Sequence, residues 1–269
     1  MKALRFAACV VAVIGVSSST RIARAAERHF GFSYESATLR PGQAELQPWT
    51  TLRLGRTDYY NRIDARLGFE LGLLKNLQAA LFWNASSTTE DVRLPGSEIK
   101  SRLSDSELDS MSLQLKYQFS DPVADALGSA LLLEGSTGPL QASFEGRVIL
   151  DEQLGSFVFD ANLIGGVTEL WELRSSSHGS FGATLAGGYF VTPNLVTSLE
   201  IRNENGFAGQ FERSVLYVGP SVSYASTRYW LTLAVQPQVV AFKGASAGQH
   251  LDLDQNEYVQ ARLLFGFAL

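Results

Sequence analysis

Apolar and polar residues alternate one by one over long stretches of this chain, most regularly in its last thirteen residues, Glu257 to Leu269. Val259, Ala261, Leu263, Phe265, Phe267 and Leu269 take one side, and Gln260, Arg262 and Gly266 take the other. A period of two is the signature of a strand, whose successive side chains face opposite sides of its sheet. A strand with one greasy and one polar face at a chain terminus would be an exposed edge in a soluble sheet. In a closed membrane barrel it is the closing strand, with lipid outside and an aqueous lumen inside.

The same reading predicts eleven more strands upstream. The first, about Gln43–Gly55, sets Ala44, Leu46, Leu52 and Leu54 against Glu45, Gln47, Thr51 and Arg53, with Pro48 on the apolar face, where it donates no ladder bond. The second, about Tyr60–Leu73, interleaves Ile63, Ala65, Leu67, Phe69 and Leu71 with Arg62, Asp64, Arg66, Gly68 and Glu70, which excludes an amphipathic helix. The third, Leu77–Ser86, is weakened by Ala80 and Phe82 on its polar face, and the fifth, Ser129–Gly135, is apolar throughout. The fourth (Ser110–Phe119), sixth (Leu140–Asp151), ninth (Leu195–Glu204) and eleventh (Tyr229–Phe242) alternate clearly, and the eighth (Gly179–Phe190) and tenth (Ser214–Tyr224) complete the set. The long seventh, Ser156–Leu173, carries Gly165-Gly166, which suggests a bulge.

Connections sort into short turns, such as Leu73–Asn76, Asp151–Leu154 and Thr192–Asn194, and longer polar loops at Ser87–Asp109, Asn205–Arg213 and Lys243–Asn256. Periplasmic turns are short and external loops longer in an up-and-down barrel with both termini in the periplasm. Tyr117, Phe119, Phe157, Tyr189, Tyr224, Tyr229 and Phe267 lie near the expected periplasmic ends, as a girdle of rings at the lipid boundary would. The expected fold is therefore all-β: a closed antiparallel up-and-down transmembrane β-barrel of about twelve strands over residues 42–269. A soluble β-sandwich is the structural alternative.

The start of the chain reads as a secretory signal. Lys2 and Arg5 precede the apolar run Phe6–Val16, and Ala23-Arg24-Ala25 supplies a small-residue cleavage site, placing the cut near Ala25. The one cysteine, Cys9, lies within this leader, so the processed chain has no thiol for a disulfide, a zinc site or a nucleophile. Loss of four bases and no acid moves the formal net charge from −5 to −9. So acidic a chain, without a basic block, is not expected to bind nucleic acid. Residues 26–41 form an N-terminal periplasmic segment, which reads as a small plug, a tether or an extra strand.

The closing run Arg262-Leu-Leu-Phe-Gly-Phe-Ala-Leu269 resembles the C-terminal assembly signal of bacterial outer-membrane proteins at Arg262, Phe267 and Leu269. Leu264 stands in that signal's glycine slot, and its last residue is not aromatic. The stretch from Tyr34-Glu35 through Leu39-Arg-Pro-Gly-Gln-Ala-Glu-Leu-Gln-Pro-Trp49 to Gly68-Phe-Glu-Leu-Gly72 resembles an uncharacterised family of outer-membrane barrels. More loosely, it is similar to putative transporters of aromatic-degradation clusters. The resemblance implies a barrel and carries over no catalytic or ligand residue.

The inward rows carry the candidate functional residues: Arg53, Arg62, Asp64, Arg66, Glu70, Lys116, Glu145, Arg147, Asp160, Glu200, Arg202 and Arg262. With seven bases and five acids they either line a narrow channel tolerant of anions or pair across the lumen and close it. His178 and Ser180 share a face but lack a third orienting group, so no catalytic residue is assigned. Asp252, Asp254, Asn256 and Glu257 offer oxygen ligands without the glycine a calcium loop needs at its turn, and they read as a solvated acidic loop. No zinc spacing, P-loop or dinucleotide fingerprint occurs, so no metal or cofactor is expected. The function expected is non-enzymatic: passive passage of small solutes through an outer-membrane barrel. The alternatives are a structural or adhesive barrel acting through Ser87–Asp109 and, less favoured, a membrane hydrolase using Ser180. Expected partners are outer-membrane lipid and lipopolysaccharide, the barrel-assembly machinery and an unidentified small solute.

Overall fold

Twelve strands each pair antiparallel with the next, and the last pairs with the first. The computed structural model describes residues 28–93, 100–171 and 176–269; the leader and its cleavage site lie outside them. The strands are β1 (Ala44–Leu54), β2 (Tyr60–Leu74), β3 (Leu77–Arg93), β4 (Lys100–Ser120), β5 (Gly128–Thr137) and β6 (Gln141–Leu154). They continue as β7 (Phe157–Leu170), β8 (Ser176–Thr192), β9 (Leu195–Phe207), β10 (Phe211–Ala225), β11 (Tyr229–Lys243) and β12 (Val259–Ala268). Closure is made by Leu46 against Phe267 through Leu54 against Val259, which leaves no open sheet edge. Pro48 faces Leu67 of β2, while the β1–β12 ladder passes from Leu46 to Trp49 without using it.

The barrel is inverted relative to a soluble protein. Gln236 is fully buried and Gln260 is 1% exposed, whereas Leu185 and Leu113 are each 57% exposed. Apolar side chains pointing outward gain only if hydrocarbon replaces water there. Tyr117 and Phe119, Phe157 and Tyr189, and Tyr224 and Tyr229 form outward-facing ring pairs beside the short turns, with centroids 5.1, 5.1 and 6.2 Å apart. This is the arrangement of an interfacial girdle.

Three local expectations are corrected. Ser87–Asp109 is not a loop: β3 runs to Arg93 and β4 starts at Lys100, so the two strands pair far beyond the barrel as a ribbon. Serine and threonine rows on both strands hold it, with Thr89 Oγ1 to Ser104 Oγ at 2.9 Å and Ser106 Oγ to Ser87 Oγ at 2.8 Å. A ribbon wet on both faces has no apolar alternation by which to be recognised. Arg102 makes two hydrogen bonds to Asp91 there, which hold the Asp91 carboxyl below its ordinary range. Asn205–Arg213 is likewise a tight hairpin, since β9 ends at Phe207 and β10 begins at Phe211. Finally, Gly165-Gly166 makes no bulge: its register with both neighbours is unbroken, and register shifts fall elsewhere, as at Asn84/Ala85 and in β10. A glycine pair permits a bulge without requiring one.

The outward face yields a direct prediction. Leu185→Arg, near the middle of β8, should destabilise the barrel by about 2–4 kcal/mol in reversible unfolding from lipid vesicles. The inward exchange Thr184→Ser should change stability far less.

Candidate functional site

The lumen of this barrel is occupied by its own chain. Residues 28–36 lie inside the wall, with Phe30, Ser33 and Ser36 fully buried. Of the plug, tether and extra-strand readings, a plug describes this segment; it runs within the barrel and not below it. Glu200 on β9 is the centre of its attachment. The carboxylate accepts the N–H groups of Gly31, Phe32 and Ser33 at 2.7, 2.8 and 3.1 Å. Three successive amides converging on one carboxylate form a backbone nest, with charge-assisted bonds in a buried setting. Gly31 is required at the contact, because a Cβ there would stand 2.3 Å from the Cβ of Ala234.

Other strands complete the attachment. Ser33 Oγ donates to Thr184 Oγ1 at 2.7 Å, and Tyr34 exchanges two bonds of 2.9 Å with the Asn162 amide. Ser36 N–H donates to Asp151 at 2.9 Å, and Leu39 N–H to Gln78 at 2.8 Å. Ser223 and Thr232 hydroxyls both donate to the Arg28 carbonyl at 2.7 Å. The two plug aromatics sit between guanidinium groups: Phe32 between Arg202 and Arg262, each 4.2 Å from its ring, and Tyr34 between Arg28 and Arg147 at 4.0 and 4.2 Å. Cations stacked on ring faces in so dry a space add to the hold.

All twelve inward residues expected from the alternation take the lumen side, and most are spent on partners. Arg53 and Arg62 share Asp64 at 2.5 and 2.6 Å, near the ribbon end. Arg66 spans from β2 to β5 and donates to both oxygens of Glu134 at 2.8 Å, while Gln114 donates to the same carboxylate. Arg147 reaches Glu145 at 3.1 Å and Asn162 at 3.2 Å, and Asn162 in turn donates to Asp160 at 2.8 Å. Arg202 donates to Glu204 at 2.6 Å, Gln260 at 2.9 Å and Gln236 at 3.0 Å. Arg262 donates to Thr51 and to the Gly31 carbonyl. Lys116 donates to the Glu35 carbonyl at 3.3 Å, and Glu70 accepts from Gln78.

The interior holds more charges than the twelve expected. Glu45, Glu134, Asp151, Glu204 and Glu257 also belong to the interior, as do Arg28, Arg56 and Arg213. Glu134 escaped notice because Ala130 and Leu132, its neighbours on the inward row of β5, are apolar; they pack with Ile149 against Tyr34 of the plug. Glu257 comes from the connection before β12, which folds into the mouth and pairs with Arg56 at 2.8 Å. In that connection Asp252 accepts from Gln255 and Asn256, and Asp254 from Thr57, so its acids hold the fold of the loop. No group of three or more metal-ligating side chains occurs among the described residues. His178 and Ser180 share the inward face of β8, and no hydrogen bond joins them among the described residues.

Cavities line the described interior. One of about 340 Å³ lies at the ribbon end, lined by Arg56, Tyr60, Arg62, Thr88, Asp105 and Glu107 among others. One of about 20 Å³ lies deep, between Glu70, Gln114 and Lys116 on the wall and Tyr34, Glu35 and Ala37 on the plug. One of about 440 Å³ opens at the short-turn end and shares Glu35 and Ala37 with the deep one.

Together these features define a twelve-stranded barrel of the outer-membrane type with a self-filled, charged interior. The chain belongs to a family of unknown function, DUF6662, whose profile matches residues 22–146 and 166–269. No curated protein matches it in sequence. Among solved structures it is similar to the COG4313 outer membrane channel from Pseudomonas putida F1, at 10% identity and TM-score 0.61, covering 87% of this chain and 98% of that one. The NanC porin matches at 10% identity and TM-score 0.56, covering 83% of this chain and 100% of that one. The β domain of the Bordetella autotransporter BrkA matches at 10% identity and TM-score 0.53, covering 85% and 100%. At such identities the likeness is one of fold.

If the nest is what seats the plug, Glu200→Gln should loosen it by about 1–3 kcal/mol, since charge-assisted bonds become neutral ones. Amide exchange at Gly31–Ser33, followed by mass spectrometry, should then speed up while the strands stay protected.

Proposed function

We propose that this protein is an outer-membrane channel for passive passage of small polar solutes, with lumen side chains setting the preference. In this reading the leader directs secretion and is cut near Ala25. The outer face meets membrane lipid and lipopolysaccharide, and the closing strand is the part the barrel-assembly machinery reads. The observation that carries the reading is the interior: charged and amide side chains run from mouth to base, with polar cavities among them. Small barrels fill their interiors with packed side chains, whereas this one keeps polar space beside its N-terminal segment and at the ribbon end. The similarity in fold to a channel and a porin supports the same reading.

A second reading has one observation behind it. The β3–β4 ribbon projects well past the barrel and offers a polar surface suited to an adhesive contact. Trimming residues 87–109 would then abolish partner binding and leave conductance unchanged.

The test of the channel is electrical. Purified, folded protein in planar bilayers should give discrete conductance steps. Arg62→Glu, at the mouth beside Asp64 and Asp109, should shift the reversal potential in a salt gradient toward the cation side. Silent bilayers with demonstrably folded protein would overturn the proposal.

A further inference from the structure

The plug does not bear on all sides of the lumen equally. From Arg28 to Ser33 its hydrogen bonds to the wall go to β8–β12, through Thr184, Glu200, Ser223, Thr232 and Arg262. The sector made by β2, β3 and β4 meets the chain only further on, where Glu35, Thr38 and Leu39 bond to Lys116, Gln118 and Gln78. Its inward row carries Arg62, Arg66, Glu70, Phe82, Gln114 and Lys116, and the ribbon-end and deep cavities lie against it. Glu35 and Ala37 line both the short-turn cavity and the deep one and stand between them. Between the ribbon-end and deep cavities stand the buried Phe82 ring, with the Arg66 guanidinium stacked on it at 3.6 Å and bonded to Glu134, and small hydroxyls bonded to Asn84.

We propose that water and small inorganic ions cross the barrel along this sector while the N-terminal segment stays seated. The segment is then one wall of the path, and Lys116 with Glu70 marks its narrowest point. This rests on the channel reading above and adds its route and the size class of what passes. A cavity of about 20 Å³ holds about one or two water molecules, so ions pass there only partly hydrated and larger solutes are excluded. Lys116 forms no ion pair among the described residues; its ammonium reaches only the Glu35 carbonyl. A charge at a constriction of this width acts on each passing ion at contact range, where interior screening is weak. Lys116 and Glu70 are therefore the selectivity-determining residues.

Two measurements decide the matter. In a potassium chloride gradient, Lys116→Glu should raise the K⁺/Cl⁻ permeability ratio by about tenfold, and Glu70→Gln should lower it. Unchanged ratios in both, with current still flowing, would place the path elsewhere and overturn the proposal. The double variant S33C/T184C replaces two hydroxyls 2.7 Å apart, in a sequence whose one cysteine is Cys9. Its oxidised form holds the segment in place and should conduct like the reduced form. Current that vanishes on oxidation and returns with reductant would overturn the proposal while leaving the channel reading intact. No current from folded wild-type protein would remove both. Should the double variant fail to assemble, the Lys116 and Glu70 ratios decide alone.

Discussion

Every backbone N–H and C=O that meets hydrocarbon must be bonded within the protein, and from this constraint the rest of the structure follows. Strands satisfy it only by closing on themselves, which β1 and β12 do. Closure then sorts side chains by parity alone. A residue's neighbours in sequence go to lipid, and it goes inward, whatever its chemistry. The interior is therefore obliged to accommodate whatever twelve inward rows supply, and here they supply many charges and amides in a space too small to hydrate them freely.

The chain meets that obligation in two ways. Acids and bases on adjacent or facing strands are paired, as in Arg53–Asp64–Arg62 and Arg66–Glu134. Such pairs gain little net stability, but removing one member strands the other at high cost. The second way is to bring in a segment with its own unsatisfied backbone. Residues 28–36 have no sheet partner, and their amides and carbonyls match inward groups of the wall, above all the Glu200 carboxylate. Filling and satisfying are one act.

What could be read in the sequence, and what could not, divides along the same line. Parity is local, so the twelve strands, their inward residues and the ring pairs beside the short turns were all legible from alternation. The third and fifth candidates looked weak because Ala80, Phe82, Ala130 and Leu132 point inward, and the reason lies far away in sequence. Phe82 fills the space that Gly68 leaves open beside Trp49, and Ala130 and Leu132 receive Tyr34. No window of neighbouring residues contains both halves of such a contact. The ribbon was hidden for the opposite reason: its residues answer to neither lipid nor lumen, so they carry no pattern.

The way the segment is held also bears on how its family can vary. Its central attachment reads backbone N–H groups, which every residue but proline supplies, so the nest tolerates side-chain change at Phe32 and Ser33 as long as Gly31 keeps its close approach to Ala234. The guanidinium contacts are different, since only a ring at 32 and at 34 answers the two pairs of arginines. If a family member lacks those rings, its arginines must find other partners or draw in water. A seated segment with water beside those arginines leaves more open lumen than this one does. Free space in this lumen is thus set less by the barrel than by which side chains the N-terminal segment presents to a wall of fixed charge.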